Sequence, residues 1–187
     1  MDMKPIYVMI CLCILVCTGC AESINVIDST GRSVSVQTPV NKVVSLGTGV
    51  AEYLYALDEG KRLVGRDSYS YFPPALENVT IAGKSSYSPD LELIIKLDPD
   101  LVIADGMLSE DDMKELEDAA IPVMIESLSN PENEIDTMKR IAQVVGEEER
   151  SAKLIGFIEK YQDLIRERTA GLSLDDKPKV FFEWAGK

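Results

Sequence analysis

Residues 88–104 read SPDLELIIKLDPDLVIA. Ser88 and Pro89 have the chemistry of a helix start, a hydroxyl at the N-cap and a proline at the first helical position. Leu91, Ile94 and Leu97 then recur at helical spacing, and Pro99 closes the helix. Leu101 to Ala104 follows without one polar side chain, the pattern of a strand covered on both faces. A helix feeding a fully buried strand is half of a parallel β-α-β unit, which requires partner strands elsewhere in the chain.

They lie on both sides. Val43 to Leu46 and Leu63 to Gly65 are short apolar strands upstream, and Pro122 to Ile125 is one downstream. Val50, Leu54 and Leu57 share one helical face after a Gly47-Thr48-Gly49 turn. Ser109 and Asp112 form a capping-box pattern for a helix through Ala119. Strands separated by single helices predict an α/β fold with a Rossmann-like parallel sheet and right-handed crossovers. Before it, INVIDSTGRSVSV alternates apolar and polar residues around Ser29-Thr30-Gly31, which predicts a hairpin. After it, Asn130-Pro131 opens a helix that Gly146 breaks. Residues 147–171 predict a second helix about 36 Å long, acidic at its start and basic near its end. Leu154, Phe157, Ile158, Tyr161, Leu164 and Ile165 make its apolar stripe. Lys179 begins a new strand.

The chain has 187 residues, 45% hydrophobic and 27% charged, which is globular composition. Its net charge of −13 excludes the basic footprint that nucleic acid requires. It has no histidine, which removes the commonest zinc and copper ligand and the commonest general base. No nucleophile–base pair or nucleotide loop stands out, so an enzyme is not expected. All four cysteines fall in the first twenty residues. There, Lys4 precedes an apolar run from Ile6 to Val16, and Cys17-Thr18-Gly19-Cys20 ends it. Residues 1–20 therefore read as a signal peptide with a lipobox-like end, Cys20 being lipidated. A plain membrane anchor and a metal site on the CxxC pair are the alternatives.

Ligands of open parallel sheets bind beyond the carboxyl ends of the strands. That singles out Gly47 and Thr48, whose amides open a helix; Arg66, Tyr69 and Tyr71 past the second strand; and Gly106 and Met107 past the strand at 101–104. Tyr69 and Tyr71 combine broad apolar faces with hydroxyls. Arg66 either pairs with an anionic ligand or is a solvated charge.

SLGTGVAEYLYAL, RLVGRDSYSYFPP, SPDLELIIKLDPDLVIA, the long helix and KPKVFFEW occur in this order. Together they resemble the periplasmic binding proteins of ABC importers for vitamin B12 and ferric siderophores. The resemblance implies two α/β lobes joined by one long helix, with the ligand between them. Residues 24–146 correspond to the first lobe, 147–171 to the interlobe helix, and 179–187 to the start of a second lobe whose remainder is expected to be missing. It implies no catalysis and no cofactor. The expected ligand is a corrinoid or ferric siderophore, a small-molecule metal chelate. A tyrosine matching Tyr69 touches the corrin in the B12-binding members. Ser86 stands where those members carry an aromatic residue, with Tyr87 beside it, and Trp184 would approach the cleft. A glutamate matching Glu92 docks the lobe onto the ABC importer permease. The implied location is the outer face of the cytoplasmic membrane, held by a lipid on Cys20. The alternative is a ligand-free interaction lobe or a vestigial single lobe.

Overall fold

The computed structural model describes residues 22–128, 133–173 and 175–181. A hairpin comes first. Strands β1 (Glu22–Ile27) and β2 (Ser33–Thr38) pair antiparallel, with Ile24 opposite Val36 and Val26 opposite Val34. Its turn is built by Asp28, whose Oδ1 accepts the amides of Thr30 and Arg32, both at 3.0 Å.

The main sheet contains β3 (Val43–Leu46), β4 (Leu63–Arg66), β5 (Thr80–Ile81), β8 (Leu101–Ala104) and β9 (Val123–Ile125). Its order is β5-β4-β3-β8-β9, and all four pairings are parallel. The chain thus winds outward from β3 in one direction, then returns to β3's other side. Alternate strand residues serve opposite faces. Val43, Leu101, Ile103 and Met124 share one core with α1 (Thr48–Ala56), α4 (Glu134–Val145) and the hairpin. Val44, Leu46, Val102, Val123 and Ile125 share the other with α2 (Leu91–Leu97) and α3 (Glu110–Asp118), through Ile94 and Leu116. The predicted α/β class and parallel sheet are thus present, with helices on both faces.

Four local expectations change. The Gly47-Thr48-Gly49 turn is mostly helix, since α1 begins at Thr48 and only Gly47 lies outside, as N-cap. Ser88 and Pro89 do not open α2; they form β7, which pairs with β6 (Gly83–Ser85). Gly83 permits this at φ +154, where an added Cβ would meet Pro89 Cα at 2.7 Å. Asp90 caps α2 instead, its carboxylate accepting the Leu93 amide at 3.0 Å. The long helix α5 (Glu148–Thr169) has 22 residues, about 33 Å of rise. Its stripe is only partly covered: Leu154 and Ile158 pack against the core, whereas Phe157, Tyr161 and Ile165 are exposed. Lys179, Val180 and Phe181 form no strand, and Val180 and Phe181 are exposed. Asn130-Pro131 lies outside the described residues, as does Cys20. Among the described residues no helix is long and apolar enough to cross a membrane.

Candidate functional site

Every strand of the main sheet ends at the same edge, and the loops leaving that edge carry most of the singled-out residues. The reversal of strand order falls between β3 and β8, where Gly47 and Thr48 leave one strand and Asp105, Gly106 and Met107 the other. Such reversals leave a crevice where neighbouring loops diverge.

The loop after β4 is held from beneath. Arg66 is buried; its Nε donates to the Leu76 carbonyl at 2.8 Å and its Nη1 to the Asp67 carbonyl at 3.0 Å. Its guanidinium is therefore neither solvated nor on the surface, and its hydrogen bonds support the loop. Asp67 is buried beside it, and its Oδ1 accepts the amides of Tyr69 at 2.7 Å and Ser70 at 2.9 Å. The Asp67 amide donates to Ser45 of β3 at 3.1 Å. Ser68 ties the loop to the β6–β7 hairpin, its hydroxyl donating to the Lys84 carbonyl at 2.9 Å. On this frame stand Tyr69, 54% exposed, Tyr71, 74%, and Phe72, 58%.

The β6–β7 hairpin returns over the edge. Ser86 is buried and its hydroxyl donates to the Leu46 carbonyl at 2.6 Å, at the end of β3. Ser86 is thus a tether, while the adjoining Tyr87 is 79% exposed. Met107 is exposed too, its amide held by Asp105 Oδ1 at 2.9 Å. The structure therefore brings Gly47, Thr48, Tyr69, Tyr71, Tyr87, Gly106 and Met107 to one edge and places Arg66 and Ser86 below it. Trp184 lies outside the described residues. Glu92 is exposed in the first turn of α2, with no ion pair among the described residues.

Burial pushes the Asp67 carboxyl above its ordinary value. The Tyr69 and Ser70 amides and the Ser70 hydroxyl pull the other way, and the charge of Asp105 adds to the rise. The Ser70 hydroxyl lies near that carboxyl without forming a well-aligned hydrogen bond, and is buried. Among the described residues no cluster of three acidic or thiol side chains is arranged to hold a metal ion.

Sequence reading missed four features, the buried support Asp67 among them. Phe72 joins the tyrosines on the same loop. Gly49 lets α1 approach the segment after β9, since an added Cβ would meet Leu128 Cβ at 2.9 Å. Beside the edge, a groove of about 680 Å³ runs between α1 and α5, lined by Tyr53, Phe72, Leu128, Met138 and Phe157 among others. The tyrosines themselves stand on an open face, not in that groove. Only Asp67 had a readable signal, an acidic residue opening a polar loop, the Asx-turn pattern.

A protein-family model described as a periplasmic binding protein matches residues 43–187. The chain belongs to the periplasmic binding protein family. Members of this family bind solutes and are not enzymes. The chain is similar to an uncharacterized ABC transporter substrate-binding lipoprotein, YvrC, of Bacillus subtilis (strain 168), at 28% identity over 160 residues, 83% of this chain and 50% of that protein. It is similar also to a cobalamin-binding protein of Halobacterium salinarum, at 24% identity over 106 residues, 56% of this chain and 29% of that one. The fold matches the crystal structure of a periplasmic solute binding protein from Veillonella parvula DSM 2008, with a TM-score of 0.73, 21% identity, and coverage of 82% of this chain and 50% of the other. The chain thus spans half or less of the length of these relatives.

Proposed function

We propose that this chain is the first lobe of an extracytoplasmic receptor that captures a corrinoid or a ferric chelate and delivers it to an ABC importer. The observation that carries this reading is the aromatic edge. Tyr69, Tyr71, Phe72 and Tyr87 stand uncovered on loops pinned by buried hydrogen bonds, at the same sheet edge as the reversal of strand order. Aromatic rings on a pinned backbone, three of them with hydroxyl tips, suit a large flat ligand better than a bare ion. The name of the Halobacterium relative supports a corrinoid. In the whole receptor the second wall of the cleft is a second lobe, α5 is the interlobe helix, and Trp184 faces the ligand. The open form of this edge agrees with a site having one wall here. Gly47, Thr48, Gly106 and Met107 complete that wall.

Cys20 carries the lipid anchor in this reading, which the lipoprotein named among the relatives supports. Glu92 meets the importer permease: it is exposed, at a helix start, and unpaired among the described residues. A carboxylate so placed suits an arginine on the partner.

Equilibrium dialysis of the chain at its full native length, against cyanocobalamin and a ferric catecholate, tests the receptor reading. Micromolar or tighter binding of one of them is expected. Binding of neither sinks the reading and leaves the second one, an interaction lobe without ligand, which the uncovered stripe of α5 favours. For docking, Glu92→Arg is expected to abolish uptake and leave ligand affinity unchanged; normal uptake by this variant refutes that role.

A further inference from the structure

We propose that Asp67 is the positioning residue of the tyrosine loop, and that it acts through a buried acceptor oxygen and not through its charge. The claim extends the proposed ligand face, on which its binding arm rests; its structural arm stands alone.

Asp67 is 3% exposed, while Tyr69, two residues on, is 54% exposed. One oxygen, Oδ1, receives both the Tyr69 and the Ser70 amide, at 2.7 and 2.9 Å. Two converging amides on one atom fix the backbone direction at the point where the loop turns outward. The anchor itself cannot shift freely. Its amide is bonded to Ser45 of β3 and its carbonyl to the Arg66 guanidinium. Charge has no visible use there. Among the described residues no cation forms an ion pair with its carboxylate: the Arg66 guanidinium bonds the Asp67 carbonyl instead, and the nearby charge of Asp105 is another anion. A neutral acceptor at the same point would serve the amides as well.

The test compares Asp67→Asn, Asp67→Glu and Asp67→Ala in the full chain. Asn keeps the acceptor and loses the charge. Glu keeps the charge and moves the oxygens by one methylene. Ala loses both. The first readout, without ligand, is amide hydrogen exchange at Tyr69 and Ser70, with Val44 and Val102 of the core as references. Asn is expected to stay within about twofold of the wild type, while Glu and Ala speed exchange at Tyr69 and Ser70 by about tenfold or more with the references unchanged. The second readout is equilibrium dialysis with cyanocobalamin, expected to weaken in the same order by about tenfold for Glu and Ala. Fast exchange in the Asn variant, or wild-type protection in Glu or Ala, overturns the proposal. If the wild type binds no cyanocobalamin, the corrinoid reading fails by itself, and the exchange rates still decide the role of Asp67. Should Ala fail to fold, the Asn and Glu pair decides it.

Discussion

Asp28 and Asp67 are both buried carboxylates, and their titration moves in opposite directions. Burial raises both. At Asp28 the Thr30 hydroxyl, with the amides of Arg32, Ile125 and Thr30, outweighs burial, so its pKa falls below the ordinary 3.8. At Asp67 burial wins and the pKa rises above 3.8. The signs follow from proton linkage. Asp28 contributes stability that is present above 3.8 and lost as pH falls through its lower folded value. Asp67 binds protons more tightly when folded, so its contribution falls as pH rises from 3.8 through its raised value. Urea titrations across this range are expected to show that Asp67→Asn removes the second slope and leaves the first. Glu126 makes a different kind of bond. It is fully buried, and both of its oxygens receive Arg140, from Nε at 2.5 Å and Nη2 at 2.7 Å. Glu126→Ala leaves the partly exposed guanidinium with the Thr137 hydroxyl at 3.0 Å in place of its carboxylate, and is expected to cost about 1–3 kcal/mol, read by urea denaturation. No sequence pattern announced this pair, because its partners sit on a strand end and a helix with no periodic relation.

At the scale of elements, the sequence showed where strands and helices lie better than it showed how they begin and which way they face. The positions of β3, β4, β8 and β9 were legible because a short apolar run has few other uses in a chain this charged, whereas β5, β6 and β7, of two or three residues each, carry no such run. The start of α2 was not, because Ser88-Pro89 and Asp90 both offer cap chemistry, and only the pairing of β6 with β7 decides between them. Asp90→Ala is therefore expected to cost about 1 kcal/mol, and Ser88→Ala close to nothing, by thermal denaturation. Helix α5 makes the same point about rotation. Periodicity outlines its stripe, but the groups buried against α1 and α4 are Ser151 and Ile155, at the stripe's edge. Ser151 accepts the Tyr53 hydroxyl at 2.7 Å, which fixes that rotation. Ile155→Ala is expected to cost about 2–5 kcal/mol, whereas Phe157→Ala, at an exposed position, should stay within about 0.5 kcal/mol.

At the scale of the molecule, strand order gathers the candidate residues. A sheet wound outward from β3 in both directions gathers the loops after β3, β4 and β8 at one edge, with the β6–β7 hairpin tethered across it by Ser86. The candidate residues were legible as a group, since each follows a readable strand. Their division into exposed rings and buried supports was not, because Arg66 and Ser86 read as ligand-facing positions until a carbonyl is found opposite each. The groove between α1 and α5 was illegible for a related reason: it is made by elements far apart in sequence. It also supplies the rival place for a ligand. The deciding measurement is a map of amide chemical shifts during titration with cyanocobalamin and, separately, a ferric catecholate. The account predicts that one of them shifts Gly47, Thr48, Tyr69, Tyr71, Tyr87, Gly106 and Met107 together. Shifts confined to Tyr53, Met138 and Phe157 in the groove, or no shifts with either compound, would contradict it.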